Sequence, residues 1–281
     1  MFRLPASGNR PGLRLSPRLI MAGVVAMGSI VAFLVRTETN PITGQTQRVA
    51  GITPEDDVRM GLAAMPDLVA RFGGEDPDAE QQALVDRVGA RLLERGVPEQ
   101  GPYEFEFHLL ADPKTINAFA LPGGQVFVTS ALLDELKTEG ELAGVLGHEI
   151  GHVIERHGAE HVARSQLMQG LSGAAVLASY DPDRPQSRTP QMAMMIGQLV
   201  TLRYGRDDEL ESDRWGVTLT ARAGYDPRTM IGLMKVLQEA SGGRSVPEWQ
   251  SSHPDPGNRI QRIEHIIAEE WPDGLPPGLE P

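Results

Sequence analysis

The sequence predicts a mostly helical α+β domain with one small β-sheet, preceded by a single N-terminal transmembrane helix. Three observations lead to this prediction. Apolar residues recur at helical spacing in several segments, for example at Leu84, Val88 and Leu92. Apolar and polar residues alternate mainly between residues 103 and 130, which is typical of strands. A long charge-free run follows an arginine-rich start, which is typical of a membrane-spanning helix.

Length, charge and cysteine content limit the classes of protein. The 281 residues are enough for one substantial domain with a short appendage. A net charge of -12 argues against a nucleic-acid partner, because a nucleic-acid-binding face needs basic residues that displace counterions. The chain contains no cysteine, which excludes disulfides and thiolate ligands. A bound metal ion would therefore have histidine and carboxylate ligands.

The N-terminal segment has the pattern of a membrane anchor. Residues 1–35 contain no acidic residue, and four arginines precede the apolar run Leu19–Val35. The seventeen residues of this run are at the lower limit for a helix that crosses a bilayer. Because positive residues stay in the cytoplasm, the residues after Arg36 are expected on the other side of the membrane. A cleaved signal peptide that releases the domain into the periplasm is the main alternative, and a mitochondrial presequence is a third.

The rest of the chain divides into helices, three strands and loops. Residues 36–55, rich in Thr, Pro and Gly, are predicted to be a linker, and residues 181–190, with three prolines, a mobile loop. Thr138 with Glu141 is predicted to form a capping box, and Asp226-Pro227 to begin a helix. The predicted elements are helices within 54–72 and 77–96, strands within 103–112 and 115–130, and helices within 141–157, 199–224, 228–240 and 259–271.

The stretch GVLGHEIGHVIERHGAEH, at residues 144–161, contains four of the seven histidines. Within it, His148, Glu149 and His152 form an H-E-x-x-H motif on a predicted helix. Helical residues four apart lie on one face, so both imidazoles can bind one ion while Glu149 can reach a bound water. The alternative at this point is that both histidines pack within or cap a helix.

His157 and His161 are a second pair with the same spacing. At about 100° per residue, a continuous helix places His157 roughly half a turn around from His148. No glutamate follows His157, so this pair is predicted to lie on a solvated face or to support the ligands from outside.

A catalytic zinc ion has three protein ligands and keeps one position open. The third ligand is expected in the acidic run DDELESD, although a solvated helix start is the alternative interpretation. Glu209 and Asp213 share a helical face, whereas Glu211 points elsewhere. One of the two would bind the metal while the other orients a histidine or meets the developing oxyanion, and spacing does not rank them. The carboxylates in this run are Asp207, Asp208, Glu209, Glu211 and Asp213.

Four motifs occur in a specific order along the chain. They are NAFALPGGQVFVTSALL at 117–133, H-E-x-x-H, E-x-x-x-D-x-x-G from Glu209 to Gly216, and SSHPDPGNRI at 251–260. Together they resemble the membrane-associated zinc peptidases that include HtpX, BepA and the CAAX prenyl endopeptidase, and most of all the BepA- and LoiP-like bacterial members. The resemblance covers roughly residues 80–267 and implies a zincin (gluzincin) fold.

The resemblance also implies roles for individual residues. One Zn²⁺ per chain would be bound by His148, His152 and Glu209, with Glu149 as the general base. Asp213 would act as a proton donor or stabilise the transition state. His253, in the late loop, would approach the zinc and hold the enzyme inactive.

A substrate-binding strand is predicted beside the zinc helix. An edge strand can pair with an extended substrate backbone, and an ordinary core hairpin is an equally supported alternative. The residues of this strand are Gln125, Val126, Phe127 and Val128.

The expected function is a zinc metalloendopeptidase that hydrolyses unfolded or membrane-proximal proteins, in extracytoplasmic protein quality control. The alternative is a latent peptidase-like binding protein or chaperone with a closed zinc site. The sequence does not fix the oligomeric state. The expected division is a cytoplasmic N-terminus (1–18), a transmembrane signal anchor (19–35), a linker (36–55), a zinc metallopeptidase domain (56–272) and a C-terminal tail (273–281).

Overall fold

The computed structural model describes residues 17–97, 101–179, 204–241, 249, 253 and 258–281. The predicted loop at 181–190 and most of the loop at 251–257 lie outside these residues. The elements are α1 (Pro17–Val35), β1 (Glu38–Thr39), β2 (Thr46–Gln47), α2 (Pro54–Arg71), α3 (Ala79–Gly96), β3 (Glu106–Leu110), β4 (Ala118–Ala120), β5 (Gln125–Thr129), α4 (Ser130–Glu135), α5 (Glu139–Ile154), α6 (His157–Ser179), α7 (Arg206–Arg222), α8 (Thr229–Ser241) and α9 (Arg259–Glu270). The mostly helical fold with a small sheet is confirmed.

Three helix starts differ from the prediction. The Thr138 hydroxyl accepts a hydrogen bond from the Glu141 N–H, but the Glu141 carboxylate accepts from the Lys137 N–H, so the capping box is not closed. Helix α7 begins at Arg206, after Gly205. Helix α8 begins at Thr229 rather than at Pro227, because the Asp226 carboxylate accepts from the Arg228 N–H and holds a turn there.

The small sheet has the strand order β3-β5-β4. Strand β5 is parallel to β3 and antiparallel to β4, and every residue of β5 is buried. The prediction that Gln125–Val128 form a substrate-binding edge is therefore wrong, since both sides of this strand already have partners. These residues instead belong to an ordinary core hairpin, which was the other interpretation of this strand.

The sheet separates two apolar cores. Val126 and Val128 face a core that also contains residues of α3, α5, α7, α8 and α9. Leu110 and Phe127 face the other core, which is formed with α2 and the first turns of α6. The sheet thus holds α5 on one side and the start of α6 on the other.

Helices α5 and α7 approach each other closely because glycines line their contact. A Cβ atom on Gly151 would lie 2.8 Å from the Trp215 Cβ and 3.0 Å from the Ser212 Cα. A Cβ atom on Gly147 would lie 3.2 Å from the Gly216 Cα. Larger residues would separate the helices. Side chains from the two helices can therefore reach a common point.

The segments predicted as linker and C-terminal tail are both packed onto the domain. The Asn40 side chain donates to the Ile154 carbonyl (2.6 Å) and the Gln47 side chain to the Glu155 carbonyl (2.6 Å). These bonds satisfy carbonyls at the end of α5 that lack helical partners. In the tail, the Glu280 carboxylate pairs with Arg91 (2.8 Å).

Helix α1 is the only helix in the described ranges that is long and apolar enough to cross a membrane. Its mean hydropathy is 2.2, and only 6% of its apolar window is buried. It packs along α6. The structure is thus compatible with the predicted anchor.

Candidate metal centre

Helices α5 and α7 bring three of the predicted ligands together. His148 and His152 lie one turn apart on α5, and their Nε2 atoms are 3.1 Å apart. Glu209, in the first turn of α7, places one carboxylate oxygen 3.6 Å from His148 Nε2 and the other 3.6 Å from His152 Nε2. All three side chains are buried. Of the carboxylates in the acidic run, Glu209 is the one that faces both histidines.

His253 supplies a fourth donor atom at the same point. Its Nδ1 atom lies 2.9 Å from a Glu209 oxygen and 3.4 Å from His148 Nε2, and its side chain is buried. In a tetrahedral zinc site with bonds of about 2.0–2.1 Å, ligand atoms lie roughly 3.3–3.4 Å apart. The separations given above, from 2.9 to 3.6 Å, lie around this value, and one donor atom from each of the four residues lies within 4.8 Å of the others. The four side chains thus form a group that could hold one metal ion.

The protonation of these histidines follows from burial and charge. Burial, together with His148, lowers the pKa of His152 well below its usual value, so the ring is neutral and can bind a metal. Burial also disfavours the charged form of His253, but Glu209 and Glu149 outweigh it and raise the pKa of His253. The two neighbouring carboxylates thus favour the protonated form of His253.

Glu149 lies beside the four donors without being one of them. Its side chain is fully buried, and one oxygen is 3.6 Å from His253 Nε2. Within the described residues neither carboxylate oxygen has a hydrogen-bond partner. An unpartnered buried carboxylate is costly for folding, which indicates that a reaction rather than stability requires it.

Asp213 contacts the back of His148. One carboxylate oxygen lies 3.0 Å from His148 Nδ1, and Arg259 binds both oxygens at 2.6 and 2.8 Å. Burial raises the pKa of Asp213, but Arg259 and His148 outweigh it and lower the pKa well below its usual value. The ionised form of this carboxyl is therefore favoured. Its contact with His148 Nδ1 matches the second alternative from spacing, a carboxylate that orients a histidine, and the expected role as proton donor or transition-state stabiliser stays a prediction.

His157 does not face away from the first pair. Its Nδ1 atom is 2.9 Å from His152 Nδ1, and its Nε2 atom is 3.1 Å from a Glu211 oxygen. Of the two alternatives predicted for this residue, the solvated face is wrong and support of a ligand from outside holds, because α5 ends at Ile154 and Arg156 adopts a left-handed φ of 56°. The turn brings His157 back to support His152. His161, one turn further along α6, is half-buried and does not belong to the donor group.

Sequence reasoning missed three residues around the centre. The Tyr204 ring stacks on His152 with 3.8 Å between centroids, and Trp249 stacks on His253 at 4.7 Å. Arg259 was visible only as part of the late loop motif, and the two aromatic residues had no motif at all. These side chains help to enclose the centre in a buried environment.

The H-E-x-x-H helix supplies two imidazoles and the separate buried Glu149, and α7 supplies the Glu209 carboxylate. This combination is typical of the site of a metallopeptidase. Comparison with known proteins agrees. Residues 79–267 match Peptidase family M48, and this match covers more than half of the chain. The chain belongs to this family, which confirms the resemblance found in the sequence.

Individual relatives carry metallopeptidase names. The chain is 30% identical over 251 residues to the mitochondrial metalloendopeptidase OMA1 of Schizosaccharomyces pombe, covering 88% of this chain and 71% of that protein. It is 27% identical over 253 residues to human OMA1, covering 85% and 48%. It is 33% identical over 187 residues to the beta-barrel assembly-enhancing protease of Escherichia coli, covering 63% and 37%. The chain thus spans about half or less of the human and bacterial proteins.

Proposed function

We propose that this metallopeptidase is a zinc-dependent endopeptidase that hydrolyses unfolded or misassembled proteins beside a membrane. The observation that supports it best is the convergence of His148, His152 and Glu209 next to the buried Glu149. The relatives named metalloendopeptidase and assembly-enhancing protease favour protein substrates. With α1 as anchor and arginines before it, the domain lies on the extracytoplasmic side, in protein quality control.

We assign one zinc ion per chain to His148, His152 and Glu209, because zinc prefers nitrogen and carboxylate ligands in this number. When bound, zinc polarises the scissile carbonyl and makes a water molecule more acidic. Glu149 takes the proton from the attacking water and delivers it to the leaving amine nitrogen. Asp213 and His157 hold the two histidine rings in place from behind.

The first test is cleavage of an unfolded protein by the detergent-solubilised full chain, loaded with zinc. We expect new N-termini at internal positions, loss of cleavage with a chelator, and recovery when zinc is restored. A folded protein of similar size is the matched control substrate and should remain intact. Cleavage that a chelator does not affect would contradict the proposal.

His253 supports a second proposal, that the enzyme is held latent. Its Nδ1 atom lies 2.9 Å from a Glu209 oxygen and 3.4 Å from His148 Nε2, so with zinc bound it would compete for the position that a catalytic site keeps open. If the site stays closed in the cell, the protein acts as a peptidase-like binding protein or chaperone. A zinc-loaded wild type that binds unfolded protein without cleaving it would favour this alternative.

We expect His253→Ala to increase cleavage while zinc remains bound. A self-inhibitory contact of about 1–3 kcal/mol corresponds to a roughly 5- to 150-fold gain in activity. The measurement is the initial rate on an unfolded substrate, with zinc content determined on the same samples. His265→Ala, at an exposed position on α9, is the control and should leave the rate unchanged. Equal or lower activity of the His253 variant would end the latency proposal.

The outer side of β4 is the better place for a substrate strand. The Leu121 N–H donates to the Gln125 carbonyl and the Thr129 N–H to the Asn117 carbonyl. Because hydrogen-bonded pairs alternate along an antiparallel ladder, Ala118 and Ala120 turn their amides to the opposite side. No strand of the described residues pairs with that side. We propose that an extended substrate pairs there, since Ala120 and His152 line the same small cavity.

We expect Ala120→Pro to lower kcat/KM about five- to tenfold, because a backbone hydrogen bond is worth about 1 kcal/mol. Proline removes the outward N–H, whereas Ala120→Gly keeps it and serves as the control. Zinc content should be the same in both variants. Equal kcat/KM for the proline and glycine variants would show that the substrate does not pair with β4.

A further inference from the structure

Helix α6 connects the metal centre to the N-terminal helix. Its first residue, His157, contacts His152. Further along, a Cβ atom on Gly170 would overlap the Ser29 side chain of α1. Phe33, near the end of α1, packs in the core that contains the first turns of α6. The two helices are therefore antiparallel, and the second half of α6 runs back along α1.

The polarity of α6 decreases from its first residue, beside the metal centre, towards its last residues, which run along α1. Its last charged residue is Arg164 and its last glutamine is Gln169. Residues 170–178 consist only of Gly, Ala, Ser, Val and Leu. At about 1.5 Å per residue, the charge-free segment 165–179 is roughly 22 Å long, compared with a bilayer hydrocarbon core of about 30 Å. Helix α6 is thus charged at the end near the domain and apolar in the part that runs along α1.

Large exposed apolar side chains are concentrated on the same two helices. Apart from Leu62 on α2, all those found in the described residues belong to α1 or α6. A water-soluble surface rarely collects apolar groups in this way. They are Leu19, Ile20, Met21, Val24, Met27, Ile30, Val31, Leu34 and Val35 on α1, and Met168 and Leu177 on α6.

We propose that residues 165–179 of α6 enter the bilayer alongside α1, so that the membrane surface of the protein is a helix pair whose partner is the lipid hydrocarbon core. This rests on the part of the proposed function in which α1 crosses the membrane: a helix that packs along a spanning helix lies at the same depth. Small residues such as Ser29 and Gly170 at the contact are typical of helix pairs in membranes.

The pair would fix the distance between the metal centre and the membrane. His157, which supports His152, is seven residues before Arg164, the last charge on α6. Seven helical residues span about 10 Å. The centre would therefore lie close to the lipid surface, where segments of proteins emerging from the bilayer are the available substrates.

The absence of cysteine allows a direct test in the full chain. Leu177→Cys is labelled with an environment-sensitive fluorophore and reconstituted into phosphatidylcholine vesicles containing a lipid with a quencher on its acyl chain. Val24→Cys on α1 is the reference for a membrane position, and Leu62→Cys on α2 is the matched exposed-leucine control. A thermal melt of each labelled protein confirms that it is folded. Neither zinc nor activity enters the measurement.

We expect the acyl-chain quencher to remove most of the fluorescence at Leu177 and Val24, and little at Leu62. Quenching at Val24 but not at Leu177 would overturn the inference and leave the anchor intact. Quenching at neither position would overturn both the inference and the anchor, while the peptidase proposal would stand on its cleavage assay. Equal quenching at Leu62 would also overturn it, because the whole domain would then lie on the bilayer.

Discussion

Glu149→Gln should reduce kcat/KM on an unfolded substrate by about 10²- to 10⁴-fold, the usual contribution of a general base. The amide has nearly the same shape as the carboxylate but cannot accept the proton of the attacking water. Zinc content should not change, because Glu149 is not one of the four donors that converge at the centre. The measurement is kcat/KM together with metal content, in the wild-type and His253→Ala backgrounds.

Glu139→Gln is the matched control for this experiment. Glu139 lies at the start of the same helix, where its carboxylate pairs with Arg87 on the surface (2.9 Å). The substitution removes the same charge from α5 and should leave kcat/KM nearly unchanged. Full activity of the Glu149 variant with normal zinc content would show that another group takes the proton, and the proposed mechanism would be wrong.

The helix that carries the H-E-x-x-H motif was predictable because its determinants are local. A 3.6-residue period and the spacing of His148 and His152 are properties of one short segment. The choice of Glu209 was not local, since spacing also allowed Asp213. The family motif selected Glu209, and the structure agrees because this residue lies within 3.6 Å of both histidines.

The features that the sequence did not predict depend on contacts between distant segments or on a single backbone conformation. The position of β5 at the centre of the sheet depends on its pairing with β3, which no periodicity reveals. The orientation of His157 depends on one left-handed residue, Arg156, that interrupts the extrapolated helix. The surroundings of Asp213 were also not predictable, because they depend on Arg259, which is 46 residues away and lowers the pKa of this carboxyl.

Removal of Arg259 should be the most destabilising single change around the centre. Arg259 on α9 is buried and pairs with Asp213 on α7, and its Nη1 atom lies 3.3 Å from Glu209. Arg259→Met leaves these carboxylates buried without that guanidinium, and breaking a buried pair costs about 3–5 kcal/mol. The measurement is the free energy of unfolding by denaturant.

The same two helices provide the control. Arg214 on α7 pairs with Glu269 and Glu270 on α9 at 2.7 and 2.9 Å, but its side chain is 47% exposed. Exposed pairs contribute about 0–1 kcal/mol, so Arg214→Met should have little effect on the free energy of unfolding. Equal losses for the two arginine variants would show that burial does not determine the contribution of these pairs.

A double variant separates the structural role of the Arg259–Asp213 pair from its role at the metal centre. Replacing both partners with apolar residues, as in Asp213→Leu with Arg259→Met, removes the unpaired charge at position 213 and should restore much of the stability. Zinc affinity should nevertheless remain about 10- to 100-fold weaker, because His148 has lost the carboxylate that orients its ring. If affinity returned together with stability, the pair would only hold α7 against α9. If stability returns alone, Asp213 is a positioning residue whose charge is required by the metal site, and Arg259 is the residue that allows this charge to be buried.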